Sequence, residues 1–131
     1  MRIILSLLVP LLLALPVSGQ ESLERDVIKT AGGDLEITFV GHGSLMLKFG
    51  GKVVHIDPFS VLTDYTKLPK ADLLLITHEH PDHLDAAAIT KVRTKDTVAM
   101  ISEKCAEQVN GGTVMKNGAV RTLLGIGIEA V

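Results

Sequence analysis

The segment Ala71-Asp72-Leu73-Leu74-Leu75-Ile76-Thr77-His78-Glu79-His80-Pro81-Asp82-His83-Leu84-Asp85 decides how this chain is read. Residues 71–77 form a continuous apolar run of strand length. Such a run fits a strand buried on both faces, as in a sheet covered by helices. His78 and His80 follow two apart, and the two-residue period of a strand points both imidazoles to the same side. Pro81 cannot donate to a ladder, so strand pairing ends there. Residues 82–92 predict a helix, with Ala86, Ala87 and Ala88 supplying propensity. A strand end running into a helix start gathers His78, His80, Asp82 and His83 around one small volume. Neutral imidazoles and a carboxylate suit Zn²⁺, with Mn²⁺ or Fe²⁺ as alternatives. The plainer reading is a polar surface loop that picks up metal adventitiously. It is disfavoured because the cluster directly follows the most strand-like run in the chain. Glu79, between the two imidazoles, is expected to face solvent.

Outward from this segment the pattern stays strand-rich. Residues 34–40, 44–49 and 52–56 read as strands, the last two joined into a hairpin by Gly50-Gly51. Residues 59–70 read as a connecting loop and residues 97–101 as another strand. Residues 102–109 read as a short helix capped by Ser102 and stopped by Asn110-Gly111-Gly112. Residues 113–131 contain two short extended segments, with turns at Asn117-Gly118 and Gly125. The order is a β-meander, then strand–helix–strand–helix, then more strands. That order predicts an α/β domain with helices on at least one face of a sheet.

The N-terminus reads differently. Arg2 precedes a run of apolar residues over 3–17 that is broken by Pro10 and Pro16, and Val17-Ser18-Gly19 supplies a compact cleavage site. A spanning helix needs roughly 20 apolar residues without such breaks. Residues 1–19 are therefore expected to be a cleaved signal peptide, which places the product in the periplasm or outside the cell, with no stable membrane anchor. Residues 20–33 read as a polar lead-in and residues 34–131 as the domain. Without the signal, 112 of the 131 residues remain, enough for one small domain and too few for two.

Composition removes several classes of function. The formal net charge is −2, which argues against a nucleic-acid surface or a polybasic membrane face. Aromatics are Phe39, Phe49, Phe59 and Tyr65 only, so there is no platform on which bases could stack. Cys105 is the single cysteine, so no internal disulfide is possible. A nucleophile and a soft metal ligand are the alternatives to a small apolar residue on a short helix, and the last is favoured.

The stretch Thr77 to Asp85 resembles the signature of the metallo-β-lactamase-fold hydrolases. Phe39-Val40-Gly41-His42-Gly43-Ser44-Leu45-Met46-Leu47 and Val54-His55-Ile56-Asp57-Pro58-Phe59 narrow the likeness. It points to bacterial metal-dependent hydrolases similar to ascorbate-phosphate lactonase and N-acyl-phosphatidylethanolamine phospholipase. The resemblance runs from about Leu35 to Val131 and implies the N-terminal half of a metallo-β-lactamase αββα sandwich. It implies that His78 and His80 bind a first metal and that Asp82 and His83 bind a second. Asp82 would also handle the proton of the metal-bound water. A metal-bound hydroxide would then attack an ester, lactone, amide or phosphoester of a small-molecule substrate. Asp57 would orient a ligand imidazole from beneath the site, with an ordinary turn residue as the equal alternative. His42 would line the pocket, with a polar turn histidine as the plainer reading. His55 reads as a half-buried structural histidine.

The family draws a third histidine for the first metal, a bridging aspartate and a final histidine from its second half. No histidine follows His83 here, and the later aspartates are only Asp85 and Asp96. Three readings follow: a hydrolase represented by its N-terminal portion, an inactive truncated product, or a small exported metal-binding module. A half-sandwich would also leave a sheet face open to self-association.

Overall fold

The computed structural model describes residues 22–131. The expected signal over residues 1–19 lies outside the described residues. Four strands open the fold: β1 (Glu24–Thr30), β2 (Gly33–Gly41), β3 (Ser44–Phe49) and β4 (Lys52–Ile56). They pair in sequence order as an antiparallel meander. Then β5 (Leu73–Ile76), β6 (Val98–Ser102) and β7 (Thr113–Met115) each add parallel to the strand before. The result is a seven-stranded mixed sheet in the order β1-β2-β3-β4-β5-β6-β7. A separate hairpin, β8 (Val120–Leu123) with β9 (Ile126–Glu129), completes the described chain.

Strand alternation divides the apolar residues between two faces. Leu74, Ile76, Ala99 and Ile101 face the α-helix α1 (Ala86–Val92) and pack with its Ala88, Ile89 and Val92. Tyr65, in a 3₁₀ turn (Tyr65–Lys67), and Cys105 belong to the same cluster. Leu73 and Met100 point the other way and pack with Val54 and Met115. The β8–β9 hairpin lays Leu123, Ile126 and Ile128 on this second cluster. The apolar run of β5 thus serves both faces, as its composition predicts, and Leu73 and Leu74 are fully buried.

The hairpin at Gly50-Gly51 forms as expected, both glycines having positive φ (55° and 75°) as a type I′ turn demands. Four local expectations need correction. Residues 20–33, read as a lead-in, contain β1, an edge strand whose seven residues are all exposed. Its pattern lacks a buried face, and only pairing with β2 makes it a strand. The helix begins at Ala86, not at 82, because Asp85 adopts extended backbone and its side chain caps the amides of Ala87 and Ala88. Residues 102–109 give a 3₁₀ turn (Glu103–Cys105) and further turns, not an α-helix. Eight residues ended by two glycines are too few to repay helix nucleation. Ser102 makes no capping bond, and its Oγ lies 3.2 Å from Cys105 Sγ instead. Finally, residues 113–131 hold three short strands, not two. The described residues are therefore sheet-rich, with one α-helix among them. No helix of the described residues is long and apolar enough to cross a membrane.

Candidate metal centre

Strand direction brings three connections to one edge of the sheet. β2, β4 and β5 run the same way, so the segments leaving their C-terminal ends lie side by side. These are the turn Gly41-His42-Gly43, the Asp57-Pro58 step and the histidine segment 77–85. The carboxyl ends of neighbouring parallel strands are where open sheets of this kind place ligands.

Asp57 is the anchor. Its backbone turns left-handed at φ 43° directly after β4, and its amide donates to Leu75 O at 3.0 Å. The residue is 2% exposed. Its Oδ1 accepts from the Thr77 amide at 2.8 Å. Its Oδ2 accepts from Thr77 Oγ1 at 2.5 Å and from His83 Nδ1 at 2.8 Å. A carboxylate only accepts, so His83 carries its proton on Nδ1 and keeps the Nε2 lone pair free. Thr77 has given its hydroxyl proton to Asp57, so its oxygen accepts from His78 Nδ1 at 2.9 Å. His78 is thereby fixed in the same tautomer, again with Nε2 free. One buried carboxylate thus prepares two imidazoles as nitrogen donors. Of the two expectations for Asp57, the geometry matches the orienting role.

The histidine rings are gathered closely. The centroids of His78 and His83 are 3.9 Å apart, and those of His78 and His80 are 4.7 Å apart at a steep tilt. Donor atoms of His42, Asp82 and His83 lie within 4.8 Å of one another, and those of Asp57, His78 and His83 form a second such group. The second group is less suited to a cation, because both Asp57 oxygens are already engaged. His80 belongs to neither group and is exposed. Its carbonyl accepts from the His83 and Leu84 amides at 2.9 and 2.7 Å, which folds the loop back so that His83 returns toward His78. Glu79, expected to face solvent, is partly buried and pairs with Lys104 at 3.0 Å. Its own backbone amide and Lys104 hold its carboxyl below the usual range.

Three supporting residues are not singled out by the sequence pattern, although Thr77 and Ser44 lie within the family-like stretches. Thr77 relays Asp57 to His78. Ser44 Oγ donates to the Asp57 carbonyl at 2.5 Å. Ser60 donates from its amide and its hydroxyl to Asp85 Oδ2, at 2.8 and 2.5 Å. Burial tends to raise the Asp85 carboxyl, but these bonds and the Ala87 and Ala88 amides outweigh it and hold it low. Asp85, read from sequence as a helix residue, therefore ties the 59–70 loop to the start of α1.

Comparison with known proteins decides the family. The β-lactamase superfamily domain matches residues 36–131. The chain belongs to the metallo-β-lactamase-fold superfamily. The crystal structure of a metal-dependent hydrolase from Parabacteroides distasonis superposes with a TM-score of 0.81 at 45% identity. It covers 84% of this chain, and this chain covers 51% of it. A UPF0173 metal-dependent hydrolase of Flavobacterium johnsoniae is 44% identical over 64 residues, spanning 44% of this chain and 28% of that protein. Another from Pelotomaculum thermopropionicum is 32% identical over 102 residues, spanning 72% of this chain and 44% of that protein. The chain thus spans about half or less of the length of these relatives.

The donor set of this metallo-β-lactamase-fold chain fits a divalent cation. It combines imidazole Nε2 atoms with a carboxylate, fixed by hydrogen bonds on the far side of the rings, which is how protein metal sites orient their ligands. Asp82 is held ionised: the hydrogen bond from His42 is the largest cause of its lowered pKa, followed by its own backbone amide.

Proposed function

We propose that the chain contributes the metal-binding edge of a hydrolase that acts on an ester, lactone, amide or phosphoester of a small molecule. The observation that carries this is the paired presentation of His78 and His83 Nε2 by Asp57, directly and through Thr77. In this reading His78 and His80 hold a first cation, and Asp82 and His83 hold a second. Zinc best suits the donor chemistry, with Mn²⁺ or Fe²⁺ as alternatives. A cation bound there supplies an acidified water and polarises the scissile oxygen. Asp82, ionised and partly exposed, would accept the proton of the attacking water.

The residues 34–131 would form the first half of an αββα sandwich. Leu47, Ile56, Leu75 and Val98 stay only partly buried on the face opposite α1, a surface suited to a further layer. Coverage of about half the relatives' length supports the same reading. Export through residues 1–19 is proposed from their composition, and N-terminal sequencing of the secreted product should begin at Gln20.

The test is a zinc titration of the purified chain by calorimetry and metal analysis. At most about one weakly held cation per chain is expected, because each position has two ligands from the motif where three or more are usual. His80→Ala should abolish binding at the His78–His80 position, read as loss of the zinc-induced change at His78, and leave binding at Asp82 and His83. An unchanged zinc response of His78 in His80→Ala would refute the ligand assignment, and two tightly held zincs in the wild type would refute the expected weakness.

A further inference from the structure

We propose that His42 is the positioning residue of Asp82, delivered to it by a turn built for that purpose. The proposal rests on the metal-centre reading above. The turn between β2 and β3 is constrained at three successive residues. Gly41 has φ 125°, and His42 itself is left-handed at φ 50°, a conformation a side-chain-bearing residue adopts at a penalty. Gly43 lies so close to the histidine loop that an added Cβ would meet His83 Cε1 at 2.8 Å. The missing side chain lets the turn press against the His83 ring, and the left-handed His42 then projects across to the loop. Its Nε2 lies 2.7 Å from Asp82 Oδ2, between residues 40 apart in sequence.

The carboxylate can only accept, so His42 carries its proton on Nε2 and donates it. This separation is that of a hydrogen bond. Two donors sharing one zinc at about 2.0–2.1 Å would stand roughly 3.3 Å apart. The separation of His83 Nε2 and Asp82 Oδ2, 3.8 Å, is closer to that of a shared cation. Thus His83 and Asp82 face the cation position together, and His42 grips Asp82 from outside it. Asp82 is 39% exposed at its side chain and, among the described hydrogen bonds, His42 is the side chain that holds it. Without that bond the carboxylate would keep only the bond to its own backbone amide. Ligating carboxylates gripped in this way commonly lose 10–100-fold in metal affinity when the outer partner is removed.

The experiment compares zinc affinity, folding and imidazole ¹⁵N resonances in the full chain and two variants. His42→Gly keeps the left-handed backbone and removes the donor. His42→Gln places an amide donor at nearly the position of Nε2. The expected result is a 10–100-fold loss of zinc affinity in His42→Gly with an unchanged or raised melting temperature, and recovery of most of the loss in His42→Gln. The His42 Nε2 proton should persist in the zinc-loaded wild type. Equal zinc affinity in His42→Gly would overturn the proposal while leaving the metal centre intact. Loss of the Nε2 proton on zinc binding would also overturn it, by making His42 a ligand. Absence of any zinc-induced change at His78, His80 or His83 in the wild type would remove the metal-centre reading and this proposal with it.

Discussion

Asp57 shows how much of the site depends on single side chains. Its carboxylate accepts three hydrogen bonds at the end of β4, and through them sets the tautomers of His83 and His78. Asp57→Ala should therefore weaken zinc binding by 10–100-fold, measured by competition with a chromophoric chelator. Thr77→Val should weaken it less, since only the relay to His78 is lost. Equal affinity in wild type and Asp57→Ala would show that the carboxylate supports the loop and not the donors. His55 plays a different part. It is fully buried, where its sequence context predicts a half-buried residue. Its Nε2 donates to Pro69 O at 2.9 Å, while Nδ1 is buried with no hydrogen-bond partner. Burial lowers its pKa, and the Pro69 carbonyl only partly opposes this. The unfolded chain then binds the extra proton first. Stability from this residue is complete above the unfolded value of about 6.5 and falls as pH drops toward the lower folded value. Urea denaturation between pH 7.5 and 5 should show wild type losing stability relative to His55→Gln, no more steeply than about 1.4 kcal/mol per pH unit. A constant difference across that range would contradict this account.

At the scale of elements, turns decide the local outcomes. Gly50-Gly51 is legible because glycine pairs fit type I′ hairpins. The β8–β9 turn has the same shape but places Leu124 at φ 53° before Gly125. Leucine there is strained and 42% exposed, so its side chain gives little in return. Leu124→Asn should raise stability by about 0.5–1 kcal/mol, read as a higher urea midpoint at unchanged slope. A lower midpoint would mean that Leu124 packs more than its exposure implies. Helix α1 teaches the complementary lesson. The alanines announce a helix, but its start depends on Asp85, whose capping role is set by its hydrogen bonds to Ala87, Ala88 and Ser60.

At the scale of the molecule, the two faces of the sheet are unequal. The face under α1 buries Leu74, Ile76, Ala88 and Val92 almost completely. The opposite face carries Leu47, Ile56 and Leu75 only partly covered beside the β8–β9 hairpin. Leu74→Ala should cost about 2–5 kcal/mol and Leu47→Ala about 1–2 kcal/mol, compared by denaturant titration. Equal losses would indicate that the second face is covered in solution, by self-association or otherwise. Running both titrations at two protein concentrations separates self-association from cover within one chain.

The sequence by itself determined that β2 to β6 are strands and that Gly50-Gly51 turns a hairpin, and it singled out His78, His80, Asp82 and His83 as candidate ligands. These rest on local pattern: apolar periodicity, glycine turns and ligand spacing, all readable within a few residues. Only the tertiary structure decided that β1 joins the sheet, that Asp57 and Thr77 preset two imidazoles, and that His42 meets Asp82 from 40 residues away. Those contacts arise because β2, β4 and β5 end on one edge. Strand pairing sets that arrangement across long separations, and no local window of sequence contains it.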